Sequence, residues 1–474
     1  MMSEKNVVDI AVLGGGPGGY AAALTASRLK ASVTLVECET LGGTCLNVGC
    51  IPTKALNRCA QVYQETMKGS MYGVHADNVR LDFQKVMKFK NQVVNQLTGG
   101  VQYLLKANKV NILKGKGRLI SNSSILVTRD DGSTEEVMAK NIIIATGSRE
   151  IEIPGFLIDG TNVISSTHAL ALPELPKRLA IIGGGVIGVE FASIFSRMGV
   201  EVSIVELSPS LIPTEDQETR ETLKWSLEGN GIKIYTNCMA QSYEKHGLDS
   251  SMSLKVKQQD GSYVDIDCDK ILVCVGRKAS IRDIGFLELG GDIKKGRIVT
   301  DNSMKTNLDG VYAVGDVTMS EQLAHVAYQE ARTAVLNIVG KACEIDYTAV
   351  PHCIYSSPEI GSVGMNEQAA REICSNAAVA RFSFQGNGKA LIEGQGDGYI
   401  KVIYNKEDGR ILGGSIVGPK ATELIAQLTL AVNNKLTVMD VVRTIHAHPT
   451  VSEAVGEACL AAVGLNLHSE CDNG

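Results

Sequence analysis

The chain has 474 residues, which suggests about three domains at roughly 100–200 residues each. Hydrophobic residues make up 44% of the sequence and charged residues 21%, so the chain can bury several cores and is not mainly disordered. Lys and Arg together number 46 and Asp and Glu 52, a net charge of −6 without a basic stripe, which argues against a nucleic-acid-binding protein.

The apolar runs are short, and none approaches the ~20 residues that a membrane helix needs. The first residues carry neither a secretory signal nor an Arg-rich transit segment. We therefore expect a cytoplasmic protein, or a mitochondrial matrix protein if the chain is a trimmed mature form. Most of the 12 cysteines stand alone in apolar segments, so a secreted disulfide framework is not expected, and no metal site is predicted.

A dinucleotide-binding unit opens the chain. Its predicted elements are a buried strand at 7–13, a glycine turn, a small-residue helix at 20–29 and a second strand at 32–36. Gly14 permits the tight turn, Gly16 lets the backbone approach a pyrophosphate, and Gly19 lets the helix pack closely against the strand. The helix N-terminus offers free N–H groups to phosphates. Glu37, at the end of the second strand, is placed to accept hydrogen bonds from a ribose diol.

The same unit occurs a second time. Its parts are a strand at 179–182, the glycines Gly183, Gly185 and Gly188, a helix at 189–198, a strand at 202–205 and the acid Glu206. The acid follows the first glycine by 23 residues in both units, which argues against a chance glycine loop. The chain is therefore predicted to bind two dinucleotides. One flavin dinucleotide and one nicotinamide dinucleotide would together form a hydride relay.

The rest of the chain completes these domains and adds another. Further predicted elements are an amphipathic helix at 81–107, a polar hairpin turning near 130–132, strands at 142–145, 271–275, 311–316, 350–355, 400–404 and 411–418, and a helix at 421–434. The predicted fold class is α/β, with two Rossmann-like dinucleotide-binding domains and a C-terminal α+β domain. Asp316 ends one strand and is a candidate partner of flavin ribityl hydroxyls, with a helix cap as the alternative role.

Cys45 and Cys50 form the candidate redox pair. Four residues separate them, and one helical turn with a glycine can bring the two sulfurs together. Pro52 is typical of a helix start, so Cys50 is expected at the positive end of a helix, which favours a thiolate. Two unrelated thiols are the alternative, but the position just after the first dinucleotide unit favours a redox-active pair.

Thiol–disulfide exchange needs a proton carrier, and His448 with Glu453 is the candidate. The carboxylate five residues after the imidazole can fix the orientation of the ring, and Pro449 restricts the backbone between them. His446 is the alternative imidazole.

In these motifs the sequence resembles the dihydrolipoyl dehydrogenases, which belong to the flavoprotein disulfide reductases with a glutathione-reductase-like fold. The resemblance covers nearly the whole chain, and its most specific parts are the cysteine and histidine motifs. The segments that carry it are 14–20, 42–54, 145–148, 183–190, 312–316 and 446–453.

The resemblance implies a homodimer with non-covalent FAD and with NAD. Cys50 would lie against the flavin and Cys45 would exchange with the substrate. His448, oriented by Glu453, would reach the cysteines of the partner subunit. Lys54 and Glu190 match the family's ion pair near the reactive flavin nitrogen. The residues implied at the cofactor sites are Gly14, Gly16, Gly19, Glu37, Lys54, Thr146, Gly147, Gly183, Gly185, Gly188, Glu190, Glu206 and Asp316.

The resemblance also implies domain boundaries and partners. The first part of the FAD-binding domain, with the cysteine pair, would span 1–149, and the NAD-binding domain 150–277. A central segment at 278–347 would complete the FAD-binding domain, and 348–474 would form the dimerisation domain. The expected partners are lipoyl domains of 2-oxo acid dehydrogenase complexes or the lipoyl carrier protein of glycine cleavage, with no nucleic acid or membrane.

The sequence departs from the family pattern at Thr53, where Ser is usual, and at 278–280, which leaves the role of Arg277 open. Residues 351–355 are more polar than is usual. None of these departures touches the core chemistry.

Several other functions share this scaffold. Glutathione and trypanothione reductases use NADPH, whose 2′-phosphate Glu206 would repel. Thioredoxin reductases need a C-terminal redox pair, but Cys471 has no near partner in the sequence, and the adjacent C-terminal cysteines of mercuric reductases are absent. A flavin transhydrogenase would lack the cysteine pair. A non-catalytic, flavin-loaded subunit is the alternative from another class, and the complete set of catalytic residues argues against it.

Overall fold

The computed structural model describes residues 7–246 and 251–468. Cys471 therefore lies outside the described residues. Within these two ranges, every helix is too short or too polar to cross a membrane.

The first dinucleotide unit forms a sheet with helices packed on it. Its strands are β1 (Val8–Leu13), β2 (Val33–Glu37), β3 (Asn111–Lys114), β4 (Lys116–Ser121), β5 (Ser124–Thr128), β6 (Thr134–Ile144) and β7 (Ser148–Glu150). Its helices are α1 (Pro17–Arg28), α2 (Gly43–Val48), α3 (Cys50–Met67) and α4 (Phe83–Ala107). Strands β3, β2, β1 and β6 are parallel in that order, and β6 continues into the predicted antiparallel hairpin with β5 and β4.

The second unit repeats this plan. Its strands are β8 (Val163–Ile164), β9 (Arg178–Ile182), β10 (Glu201–Val205), β11 (Lys233–Tyr235), β12 (Met239–Lys245), β13 (Met252–Lys257), β14 (Tyr263–Cys268), β15 (Lys270–Val273) and β16 (Arg277–Ala279). Its helices are α5 (Ser166–Ala169), α6 (Val186–Arg197) and α7 (Gln217–Gly229). The parallel order is β11-β10-β9-β15-β8, and the antiparallel layer β12-β13-β14 buries its apolar face against this sheet.

The central segment returns to the first sheet. It contains β17 (Ile293–Lys294), β18 (Arg297–Ile298), β19 (Val311–Ala313) and α8 (Ala324–Ile338). Strand β19 pairs in parallel with β6, and α8 shares a buried apolar core with α1. The strand predicted at 311–316 ends at Ala313, because the chain turns at Gly315 with a positive φ of 76°.

The C-terminal part is an antiparallel sheet with helices on it. Its strands are β20 (Pro351–Ile354), β21 (Glu359–Gly364), β22 (Ala377–Ser383), β23 (Tyr399–Asn405) and β24 (Ile411–Gly418), in the order β20-β21-β24-β23-β22. Its helices are α9 (Glu367–Ile373), α10 (Gly388–Ile392), α11 (Ala421–Asn433), α12 (Val438–Val442) and α13 (Glu453–Ala462). Apolar residues of this sheet, α11 and α13 form one core. The predicted α/β class with an α+β C-terminal domain is confirmed.

Both helices after the glycine turns begin three residues earlier than predicted, at Pro17 and Val186. The third glycine of each motif therefore lies inside the first helical turn. A Cβ at Gly19 would lie 1.8 Å from the Gly14 carbonyl oxygen, and one at Gly188 would lie 2.0 Å from the corresponding oxygen of Gly183. This close approach requires glycine, and it presents the helix N-terminus to the cleft beyond the strand ends.

Candidate active site

One large cleft of about 1690 Å³ connects the two dinucleotide units. It is lined by both glycine loops, by the segment that carries Cys45 and Cys50, by the turn after β6 and by β20. The backbone is accessible in both loops: a Cβ at Gly16 would touch only the Gly43 Cα at 3.7 Å, and one at Gly185 would meet no atom within 4 Å. The cleft therefore fits two dinucleotides whose pyrophosphates lie on the two loops.

The acids at the strand ends are held in the same way in both units. Oε2 of Glu37 accepts a hydrogen bond from the Gly15 amide at 2.5 Å, and its Oε1 accepts one from the Glu39 amide at 2.6 Å. Glu206 repeats this pattern with the amides of Gly184 at 2.5 Å and Ser208 at 2.7 Å. Each carboxylate is thus fixed beside its loop, where it can accept hydrogen bonds from a ribose diol.

We expect Glu206 to select NAD over NADP. In Glu206→Arg, the ratio of kcat/KM for NADH to that for NADPH should fall at least about 100-fold, because juxtaposed like charges cost several kcal/mol and an arginine can pair with the 2′-phosphate. Glu201→Arg, at the exposed start of β10, is the control and should keep the ratio. A wild-type protein that prefers NADPH would contradict the assignment.

The two candidate redox cysteines lie on consecutive helices. Cys45 lies within α2, and Cys50 is the first residue of α3, as the sequence predicts. Both are free thiols here, and their side chains are hydrogen-bonded to each other. The hydrogen bond from Cys45 lowers the pKa of the Cys50 thiol, and the charge of Lys54 lowers it further. The same contact, together with burial, raises the pKa of Cys45. These contacts favour Cys50 as the thiolate of the reduced pair.

Lys54 and Glu190 form an ion pair between the two units. Nζ of Lys54 lies 2.8 and 3.0 Å from the two carboxylate oxygens of Glu190, a residue with only 4% of its surface exposed. Oε1 of Glu190 also accepts a hydrogen bond from the backbone amide of Tyr355 at 3.0 Å. The ammonium group lies 4.5 Å from the centre of the Tyr355 ring. The pair lines the cleft next to Cys50.

Asp316 is linked to Arg277, a residue whose role the sequence left open. Ser148 donates a 2.5 Å hydrogen bond from Oγ to Oδ2 of Asp316. Arg277 donates from Nε to the same Ser148 Oγ at 2.8 Å and from Nη2 to the Ser148 carbonyl oxygen at 2.7 Å. All three residues line the cleft, as do Thr146 and Gly147. Arg277 is thus linked through Ser148 to Asp316, the acid that the sequence analysis proposes as a candidate partner of the flavin.

His448 and Glu453 form a hydrogen-bonded pair away from this cleft. Nδ1 of His448 lies 2.9 Å from Oε1 of Glu453, the first residue of α13, while Oε2 of Glu453 accepts from the Thr450 amide at 2.8 Å. Burial opposes ionisation of Glu453, but the Thr450 and His448 contacts outweigh it and keep the pKa below its ordinary value. The His448 side chain is 81% exposed, and neither residue lines the cleft. One chain therefore does not bring the imidazole to its own cysteines.

The alternative imidazole, His446, lies in a different environment. A Cβ added to Gly456 of α13 would lie 3.0 Å from the His446 ring, so that ring packs against the helix. The Glu453 carboxylate is bonded to His448 instead. This arrangement favours His448 as the proton carrier.

Comparisons with known proteins agree with this geometry. The family model described as "Pyridine nucleotide-disulphide oxidoreductase" matches residues 8–331, and that of its dimerisation domain matches 350–459. A dihydrolipoyl dehydrogenase of Bacillus subtilis is 40% identical over 462 residues and one of Geobacillus stearothermophilus is 39% identical over 458, covering 97% and 96% of both chains, respectively. The crystal structure of LpdA from Mycobacterium tuberculosis superposes with a TM-score of 0.89 at 26% identity, covering 96% of this chain and 99% of that chain.

Proposed function

The chain belongs to the pyridine nucleotide-disulphide oxidoreductase family, and on this premise we propose that Cys45 and Cys50 pass electrons from dihydrolipoyl groups to FAD and NAD. The protein is an NAD-dependent, FAD-containing disulfide oxidoreductase of the dihydrolipoyl dehydrogenase type. Dihydrolipoyl and NAD⁺ are converted to lipoyl, NADH and a proton. The observation that most supports the proposed roles of the two cysteines is that both cysteines and both glycine loops line one cleft.

The dithiol exchange uses both cysteines. A thiolate of the dihydrolipoyl group attacks Cys45 in the Cys45–Cys50 disulfide, and Cys50 leaves as a thiolate. The second substrate thiol then attacks the mixed disulfide, so the lipoyl S–S bond forms and Cys45 is released. The electron pair remains on the two protein sulfurs. Cys50 is the better leaving group because its pKa is lowered, and a thiol of lower pKa leaves faster.

His448 is the proposed acceptor of the proton that the substrate thiol loses. Its Nδ1 is held by Glu453, which leaves Nε2 for the substrate and stabilises the imidazolium. The C-terminal part belongs to a dimerisation family, so the chain forms a homodimer. We propose that His448 of one subunit completes the cleft of the other, which agrees with its exposure and with its absence from the cleft of its own chain.

The cofactors follow from the family, and the prediction of FAD and NAD is confirmed. When bound, FAD would supply hydride transfer to NAD. The loop with Gly14, Gly16 and Gly19 and the acid Glu37 would hold FAD, together with Asp316. The loop with Gly183, Gly185 and Gly188 and the acid Glu206 would hold NAD. We propose the domain boundaries 1–149, 150–277, 278–347 and 348–474 on the same basis.

We expect the purified protein to be yellow with non-covalent FAD, because no motif in the sequence suggests a residue that links the flavin covalently. Acid precipitation should leave the flavin in the supernatant, where its absorption spectrum is read. A colourless protein that does not take up added FAD would contradict the assignment of the first unit.

The proposed partners are lipoyl groups on carrier domains of 2-oxo acid dehydrogenase complexes or of glycine cleavage, with the cytoplasm as the proposed compartment. The function is tested by adding dihydrolipoamide and NAD⁺ to the FAD-loaded dimer and following NADH by its absorbance. NADH formation is expected. A flavin-loaded protein that forms none would support the non-catalytic alternative. If NADH forms, copurification from a native extract would identify which complex the protein serves.

A further inference from the structure

Three charged side chains from three parts of the chain meet at one wall of the cleft. On β20, His352 has its Nε2 2.5 Å from Oε2 of Glu321 and its Nδ1 3.8 Å from Oε1 of Glu215. Glu321 lies in the segment before α8, and Glu215 lies between β10 and α7, in the loop that also contains Glu206. All three line the cleft. We call Glu215, His352 and Glu321 the His352 cluster.

The His352 cluster contains one cation between two carboxylates. Glu215 and Glu321 raise the pKa of His352 to about 10, so the imidazole is charged at neutral pH. The contact with His352 lowers the pKa of Glu321 in turn. His325 is nearby, with Nε2 2.9 Å from the Pro351 carbonyl oxygen, but burial lowers its pKa and it is neutral at pH 7. The Glu215 side chain is only 4% exposed, so its contact with His352 is largely shielded from solvent.

The His352 cluster lies at the start of β20, and the residue just after the end of this strand is bound to the second unit. Residues 352–354 of β20 line the cleft. Just beyond them, the Tyr355 amide donates to Glu190 on α6, the helix that follows the second glycine loop. At the start of β20, His352 is paired with Glu215, which lies in the loop between β10 and α7 of the second unit. The second unit therefore holds this wall of the cleft at both ends.

A buried donor without a partner lies beside the cluster. Nε2 of Gln322 is buried and has no hydrogen-bond partner among the described residues, although Gln322 lines the cleft next to Glu321. A buried amide N–H without an acceptor is costly, by about 1–3 kcal/mol. The Gln322 amide is therefore available to donate a hydrogen bond to a molecule bound at this wall.

We propose that the His352 cluster holds this wall of the cleft against the second unit and thereby sets the affinity for NAD and NADH. This inference rests on the proposed function, since it concerns the dinucleotide of the second unit. His352 is a positioning residue that acts through β20. Without it, two carboxylates face each other with no cation between them. Their repulsion separates the central segment, which carries Glu321 and Gln322, from the second unit, and the wall with Gln322 moves away from the dinucleotide.

The test compares His352→Gln with wild type as FAD-loaded dimers. Titration of the oxidised protein with NAD⁺ and NADH, read by flavin absorbance or calorimetry, should give Kd values about tenfold higher in the variant, the size expected when a pair of contacting charges is broken. His352→Lys keeps a cation between the carboxylates and should restore most of the affinity. The rate of flavin reduction by dihydrolipoamide without NAD should stay unchanged, because that reaction uses the cysteine side.

His325→Gln is the matched control. His325 contacts the same strand through Pro351 but is bonded to no carboxylate, so its variant should keep the wild-type Kd values. Unchanged Kd values in His352→Gln, or an equal loss in His325→Gln, would overturn the role of the cluster. Failure of dihydrolipoamide to reduce the wild-type flavin would instead overturn the proposed function, so the two failures are distinguishable.

Discussion

Replacing Cys50 by Ser is expected to lower the rate of dihydrolipoamide oxidation by roughly 10⁴-fold or more. This is the scale of the loss when a reacting nucleophile is removed. The replacement should also abolish the long-wavelength absorption band that a thiolate beside the flavin produces on two-electron reduction. Cys45→Ser should lose the same activity, because no disulfide can form. The band should remain in Cys45→Ser without reduction, since Cys50 keeps a hydrogen-bond donor at position 45 and the charge of Lys54. Absorption spectra and NADH formation measure both effects.

Cys59→Ser is the control for the cysteine pair. Cys59 lies further along α3, so it shares the helix but not its N-terminus. Its variant should show wild-type activity and a wild-type band on reduction. A permanent band in Cys50→Ser and none in Cys45→Ser would mean that the two roles are reversed.

His448→Gln is expected to slow the dihydrolipoamide reaction by about 10²–10⁴-fold, the usual contribution of a general acid–base group. Electron transfer from NADH to an artificial dye should remain largely intact, because that path bypasses thiol exchange. Glu453→Gln should lose less activity, because Glu453 orients the ring and stabilises its charge but does not transfer the proton. Stopped-flow measurement of flavin reduction by dihydrolipoamide separates the two half-reactions.

Mixed dimers test whether the site is shared between subunits. In a dimer of one His448→Gln and one Cys45→Ser protomer, one site combines an intact cysteine pair with an intact histidine. Mixing the two inactive variants should therefore restore part of the activity. No recovery after confirmed subunit exchange would place the histidine in the same chain as its cysteines. A large loss with His446→Gln, and none with His448→Gln, would move the assignment two residues upstream.

The parts of the molecule built from local patterns were predictable from the sequence. Each dinucleotide unit has a fixed order of strand, glycine turn, helix, strand and acid, so the places of Glu37 and Glu206 followed from spacing alone. The two helices begin at Pro17 and Val186, three residues before the predicted starts. The third glycine of each motif looked like part of a loop, although it is needed inside the helix for close packing.

Contacts between distant segments were not predictable in the same way. The Arg277–Ser148–Asp316 network joins residues from three parts of the chain, and only the pairing of β7 with β16 brings two of them together. The sequence marked 351–355 as unusually polar but gave no sign that His352 would meet two carboxylates. The exposure of His448 and its absence from the cleft of its own chain were also not predictable, because they depend on how the C-terminal part packs against the rest of the chain.

Anaerobic addition of dihydrolipoamide to the FAD-loaded dimer, followed by NAD⁺, tests the central claim most directly. The first addition should reduce the Cys45–Cys50 disulfide and produce the long-wavelength band of the Cys50 thiolate. The second should remove this band and release one NADH for each reduced site. A protein whose flavin is reduced by NADH, but whose spectrum does not change with dihydrolipoamide, would contradict the claim that electrons enter from dihydrolipoyl groups through this pair.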